Sequence, residues 1–329
     1  SPCAPVPERS ALRRFCELPC TTASMLTDER PRCHAAAPAL LLLAAAAAAI
    51  ALLLHPAIAM PPSAVQSTAA SSLRSAAAPS LSASLWSDPV VQRVVSACES
   101  NGFVRALEAG SLPLQAFQGF LSQDKFFLGA FSRAYALARD KSSAAGDAAS
   151  AAEFGDLLAG VENELSLHAG YAARWGVDMS LVRPAPACSE YTSFLLAVAE
   201  KEGVAACAAA MVPCMRLYAE LGRRIAARQA ACRAAASSPQ GGAAEGRSCG
   251  AGAYQEWVDT YAAAEIDSLA AELEALLDRV AARGSAPPRE VLRERYLRAM
   301  QLELGFFDAW SPSRGRATAS AGPSTTRPR

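Results

Sequence analysis

Cys214 stands directly after Pro213 in an apolar run, Met211-Val212-Pro213-Cys214-Met215-Arg216-Leu217-Tyr218. A cysteine acts as a nucleophile through its thiolate, so it needs a base or a positive field beside it. Proline inside a helix removes a backbone donor and crowds the preceding turn, so a kink is expected at Pro213. A kink frees carbonyls and space for a ligand, and Tyr218 lies one turn further on the same face. The bland alternative is a small buried cysteine, which is what most free cysteines are. Asp124, in Gln123-Asp124-Lys125-Phe126-Phe127-Leu128, shares a helical face with Leu121, Phe127 and Leu128. A carboxylate there is costly unless it is paired or hydrogen-bonded. It reads either as a rim aspartate paired with a neighbouring Lys or Arg, or as a carboxylate aimed into a pocket. Glu303, among Leu302, Leu304, Phe306 and Phe307, is a candidate buried carboxylate of raised pKa, suited to proton transfer. It reads equally well as part of a solvated face of the last helix. Tyr191 and Tyr261 are polar-tipped aromatics on apolar helices, and most such residues are core tyrosines with a satisfied hydroxyl. Taken one at a time, none of these signals is specific.

These residues require helices to hold them. The 329-residue chain is 52% hydrophobic and only 7% aromatic, and alanine, the strongest helix former, is abundant. Long alternating β-branched runs are absent, so an all-α fold is expected. Asp88 is placed to cap a helix starting at Pro89, with Val90, Val91, Val94, Val95 and Cys98 at helical spacing, in a region ended by Gly110. Further helices are expected over residues 113–141, 148–175, 189–202, 204–235 (broken by Pro213), 254–283 and 288–309. A Pro-rich turn is expected at 183–186 and a surface loop at 237–252. The sum is about seven helices in one bundle-like domain over residues 88–310.

Residues 1–87 are set apart from that domain. An apolar segment at 39–54 is followed by Ala57-Ile58-Ala59, the length and end of a targeting segment rather than of a membrane helix. Residues 30–87 contain no Asp or Glu and are rich in Ser and Ala, as in a transit segment or a linker too polar to fold. Plastid is the location favoured, with mitochondrion, cytosol or a secretory route as alternatives. Residues 311–329 read as a disordered tail. The 31 basic and 31 acidic side chains balance, so no basic field is available to bind nucleic acid. The ten cysteines and three histidines show no zinc spacing, no histidine pairing and no disulfide scaffold. Mostly free thiols, no metal and no cofactor are expected. There is no Gly-rich phosphate loop and no GxSxG.

Taken together and in order, the segments GSLPLQAFQGFLSQDKFFL, ELSLH, EYTSFLLAV, MVPCMRLYAELG, YQEWVDTYA and RAMQLELGFFDAW resemble the TenA/thiaminase II family across nearly all of residues 88–310. The wording PCMRLYAELG is most similar to the plant branch, in which a TenA domain precedes a phosphatase domain; no DxD phosphatase motif is present here. The resemblance implies a haem-oxygenase-like helical bundle, a homotetramer working without haem or metal. It implies hydrolysis at the methylene carbon of an aminopyrimidine breakdown product of thiamin, or of thiamin itself, giving hydroxymethylpyrimidine. By motif, Asp124 matches the residue that binds the pyrimidine ring nitrogen and amino group. Cys214 matches the nucleophile, Glu303 the carboxylate of the last helix, and Tyr191, Tyr218 and Tyr261 the site tyrosines. Phe127 departs from the tyrosine of many members, keeping the stacking face and losing the hydroxyl, which bears on substrate choice. Cys214 places the chain in the cysteine class rather than in the plant subgroup that uses another carboxylate.

Two rivals stand beside this reading. One is a catalytically idle TenA-like binding or regulatory module, which would not be expected to keep Asp124, Tyr191, Cys214, Tyr218, Tyr261 and Glu303 together. The other is a different enzyme on the same fold. Haem oxygenase needs an axial histidine early in the bundle, and residues 88–148 have none; a pyrroloquinoline-quinone synthase wants several histidines, and only His168 lies in the domain.

Overall fold

The computed structural model describes residues 79–237 and 249–312. The apolar segment 39–54, most of the leader, the centre of the 237–252 loop and the tail beyond residue 312 lie outside the described residues. Among the described residues there are ten α-helices and no strand. In chain order they are α1 (Leu81–Trp86), α2 (Pro89–Glu99), α3 (Gly102–Glu108), α4 (Leu114–Ala144), α5 (Ala148–Arg174), α6 (Pro186–Lys201), α7 (Val204–Ala236), α8 (Gln255–Tyr261), α9 (Ala264–Ala281) and α10 (Arg289–Ala309).

Local chemistry sets the starts of the short helices. The Asp88 carboxylate accepts from the Val90 amide at 2.7 Å with Pro89 at the first position, as its sequence context predicts. The same carboxylate takes the Arg293 guanidinium at 2.6 Å, tying α2 to α10. Asn101 caps α3 through the Phe103 amide at 2.8 Å and donates to Asp308 at 2.8 Å. α4 and α5 form a long antiparallel pair, reversed through Gly146, whose φ of +74° is the left-handed conformation that glycine adopts without strain. α7 is the central helix, packed against α6, α8, α9 and α10. Its alanine run, Ala205 to Ala210, is almost wholly buried, so neighbouring helices approach without intervening bulk. α7 is also long and apolar enough to cross a membrane, and here that apolarity is used against protein on nearly all sides.

Four expectations change. Seven helices become ten because the region before Gly110 is two helices, the 254–283 stretch is divided, and α1 precedes Asp88. α1 is part of the packed structure: Leu85 is buried, and the Ser82 amide and hydroxyl both donate to Asp278 on α9. No Gly or Pro marks the break at Ala262-Ala263, so helical spacing alone runs through it. α7 continues through Pro213 instead of breaking there. Proline removes one hydrogen bond, and burial of the helix on both sides of it outweighs that loss. Cys232 and Cys249 are joined, Cα to Cα 5.5 Å, whereas Cys98, Cys188, Cys207 and Cys214 are free and buried. One bridge across a loop is compatible with a chain whose described thiols are otherwise free, but it departs from the expectation of unpaired cysteines there.

Candidate active site

The seven residues singled out from sequence lie on five different helices: Asp124 and Phe127 on α4, Tyr191 on α6, Cys214 and Tyr218 on α7, Tyr261 on α8 and Glu303 on α10. All are buried, between 0 and 6% exposed. Glu303 ties two of the helices together. Its Oε1 accepts from the Tyr191 hydroxyl at 2.9 Å, and its carboxyl is hydrogen-bonded to the Cys214 thiol. The solvated-face reading of Glu303 is therefore excluded. Asp124 is close enough to Cys214, Tyr218 and Tyr261 to raise their pKa values, and Glu303 raises that of Asp124. The Phe127 ring packs edge-on to Tyr191 at 4.9 Å between centroids, and Tyr218 lies 4.9 Å from Tyr261 and 5.6 Å from Phe307. One buried cluster thus holds a thiol, two carboxyls and an aromatic wall.

Each side chain is aimed by its element. On α4, Gln123 and Asp124 divide the work. Gln123 accepts from the Ala185 amide at 2.7 Å and donates to the Arg183 carbonyl, fixing the segment that opens α6. Asp124, the next residue round the helix, is left for the cluster. On α7, Pro213 has no N–H to offer the Ala209 carbonyl one turn back, immediately before Cys214. Gly222 lets α8 come close: a Cβ there would sit 2.3 Å from the Tyr261 carbonyl carbon. No larger residue fits while Tyr261 keeps its place.

Burial governs the protonation states. Desolvation, then the Glu303 charge and the hydrogen bond to it, hold the Cys214 thiol well above its ordinary range. Glu303 itself is raised to about 7 by burial, against the lowering effect of the hydrogen bonds from Cys214 and Tyr191. Asp124 is pushed well up by burial and by its neighbours Glu164 and Glu303. Near neutral pH Glu303 is divided between its acid and carboxylate forms, so it can both take and give a proton. Among the described residues, no group of three or more His, Cys, Asp or Glu is placed to hold a metal ion.

The sequence reading missed Glu164 and His168. Both are on α5 and nearly fully buried, and the His168 Nε2 lies 4.0 Å from Asp124 Oδ2. His168 thus stands beside the cluster, although no sequence spacing pairs it with another histidine. A signal was available: Leu158, Val161, Glu164, His168 and Tyr171 fall at core spacing, so a carboxyl and an imidazole occupy positions of the apolar stripe.

Comparisons with known proteins bear on the family and the fold. The family model TENA/THI-4/PQQC matches residues 100–312. The chain is 30% identical over 226 residues to the "Bifunctional TH2 protein, mitochondrial" of Arabidopsis thaliana, covering 63% of this chain and 34% of that one. It is 30% identical over 233 residues to the aminopyrimidine aminohydrolase of Halalkalibacterium halodurans, covering 70% of this chain and 94% of the relative. This chain thus spans about a third of the plant protein and nearly all of the bacterial one. Among solved structures, a TenA homologue from Pyrococcus horikoshii OT3 superposes with a TM-score of 0.55 at 21% identity, covering 70% of this chain and 98% of that one. That likeness shows the fold, the helical haem-oxygenase-like bundle. The family model's span, together with helices that bring the motif residues into one cluster, leads to a plain conclusion: the chain belongs to the TENA/THI-4/PQQC family.

Proposed function

We propose that this protein hydrolyses an aminopyrimidine of the thiamin salvage pathway, 4-amino-5-aminomethyl-2-methylpyrimidine or thiamin itself, at its methylene carbon, giving hydroxymethylpyrimidine. The observation that carries the reading is the meeting of Cys214, Glu303 and Asp124 in one buried cluster, with Glu303 bonded to both Tyr191 and the thiol. The name of the Halalkalibacterium relative supports the substrate class.

The chemistry follows from the protonation states. A leaving group on a CH2 attached to a pyrimidine is hard to displace directly. Asp124, whose carboxyl is pushed up by burial, passes a proton to the ring nitrogen and stays beside the resulting cation as a carboxylate. That charge favours ionisation of the thiol, whose proton passes to Glu303. The Cys214 sulfur then adds to a ring carbon conjugated with the methylene, and the ring accepts the electron pair. The pair returns to expel the amine, which leaves carrying the Glu303 proton, and an exocyclic methylene forms. Water adds to that methylene and gives a proton to Glu303; the carbon–sulfur bond breaks, Cys214 regains its proton from Glu303, and the ring nitrogen returns its proton to Asp124. One hard displacement becomes several easier steps. Phe127, Tyr191, Tyr218 and Tyr261 form the wall against which the ring stacks.

The test is hydrolysis of the aminopyrimidine by the full chain and by Cys214→Ser. The serine variant should lose at least a hundredfold in turnover, because an alcohol is a far poorer nucleophile at neutral pH, yet still bind the product. Cys207→Ser, at a packing cysteine bonded to the Ala134 carbonyl, should stay within a few-fold of wild type. Equal rates for the two variants would remove the covalent role of Cys214. A wild-type protein that binds the pyrimidine without turnover would instead favour the idle binding module. Assembly as a homotetramer and an organellar, plastid location complete the proposal; sedimentation of the purified chain and mass spectrometry of isolated organelles test them.

A further inference from the structure

Two buried polar atoms beside the cluster have no hydrogen-bond partner: Nε2 of His168 and Oε2 of Glu164. Such atoms are costly in a protein interior, and each calls for a reason. They project from one face of α5, one turn apart, towards Asp124. The hydrogen bond of His168 goes to the backbone of Leu121. Because Nε2 has no partner, Nδ1 makes that bond, donating to the Leu121 carbonyl. In the neutral ring Nε2 is then an acceptor. Burial keeps the ring neutral. Nε2 and Asp124 Oδ2 are 4.0 Å apart, too far for a hydrogen bond to each other. The separation suits one donor group between them. An NH2 group making two contacts of about 2.9 Å reaches acceptors roughly 4–5 Å apart.

The geometry points to His168 Nε2 as the second acceptor for the exocyclic amino group of the pyrimidine, which makes His168 a residue that selects amino-substituted over oxo-substituted rings. The inference rests on the aminopyrimidine reading above. In it, Asp124 takes the ring N–H and one amino hydrogen. The other amino hydrogen would have no partner in a buried site unless His168 accepts it. Glu164, with its own free oxygen alongside, keeps this wall rich in acceptors. A ring carrying a carbonyl in place of the amine would bring oxygen against the Nε2 acceptor of His168. A site built to pair a donor rejects an analogue lacking it far more strongly than an apolar pocket rejects a change of shape.

The experiment compares 4-amino-5-aminomethyl-2-methylpyrimidine with its 4-oxo counterpart on the full-length wild type, His168→Asn and His168→Gln. Asparagine can keep the donor to Leu121 and removes the acceptor at Nε2; glutamine can place a carbonyl there. Wild type should prefer the amino substrate at least a hundredfold in kcat/KM. His168→Asn should shrink that preference tenfold or more, mainly through a higher KM for the amino substrate, and His168→Gln should restore most of it. An unchanged preference in a folded His168→Asn, with matching circular dichroism, would overturn the assignment of His168 and leave the hydrolase reading intact. Should that variant not fold, binding of the 4-methylamino analogue to wild type decides. Loss of tenfold or more supports the second acceptor, and equal binding overturns it. No binding and no turnover of the amino substrate by wild type would overturn the hydrolase reading itself, and this inference with it.

Discussion

Replacing Glu303 by glutamine should make the protein more stable at alkaline pH while abolishing its chemistry. Burial raises the Glu303 carboxyl from an ordinary 4.5 to about 7. The folded state therefore holds a proton that the unfolded chain loses between those two values. Stability from this group is fully present below pH 4.5 and falls as pH rises through the window to about 7. Each tenfold difference in proton affinity is worth about 1.4 kcal/mol, so above the window the ionised carboxylate costs the folded state about 3 kcal/mol. Glutamine has nearly the same shape, cannot ionise, and can still accept from the Tyr191 hydroxyl. Urea unfolding followed by circular dichroism, at pH 4 and pH 8, measures the effect. Taking the difference between variant and wild type cancels the contribution of Glu164, whereas relief of the Glu303 charge beside Asp124 adds to the variant's gain at pH 8. The variant should gain about 3 kcal/mol more at pH 8 than at pH 4. Its hydrolysis rate should fall at least a hundredfold, because no proton carrier remains beside Cys214. A stability difference that is the same at both pH values would refute the argument that Glu303 is held protonated by burial.

Asp124→Asn should weaken binding of the pyrimidine and its turnover together by tenfold or more, since it removes the charged partner of the ring nitrogen. Its melting temperature near neutral pH should not fall, because burial already disfavours the Asp124 carboxylate and the amide carries no charge; calorimetry and steady-state kinetics check both halves. Gly222→Ala should destabilise by about 1–3 kcal/mol through overpacking, because its Cβ would sit 2.3 Å from the Tyr261 carbonyl carbon. It should also lower kcat by displacing Tyr261, which thermal melts and the hydrolysis assay read separately.

The helices were legible in the sequence because their signals are local. Asp88 before Pro89, the stripe Leu121, Leu128, Phe131, Tyr135 of α4, and the Ala-rich course of α7 each state a helix within a few residues. Motif order supplied the family and singled out seven residues that the fold brings into one cluster, since it compares the chain as a whole. Boundaries without a breaker were not legible: at Ala262-Ala263 the chain turns because Tyr261 and the apolar stripe of α9 must meet α7 on different courses. α1, in Ser- and Ala-rich sequence, is recognisable only from Ser82 meeting Asp278, nearly two hundred residues away. The state of Glu303 could not be read from its neighbours, which suit a buried or a solvated face equally. Tyr191 and Cys214, from two other helices, decide it. Likewise His168 is one histidine in a helical run until α4 brings Asp124 within 4.0 Å. The sequence by itself determines which side chains share a helical face. Only the tertiary structure decides what that face meets, because pKa and pairing depend on desolvation and on charges carried by other helices.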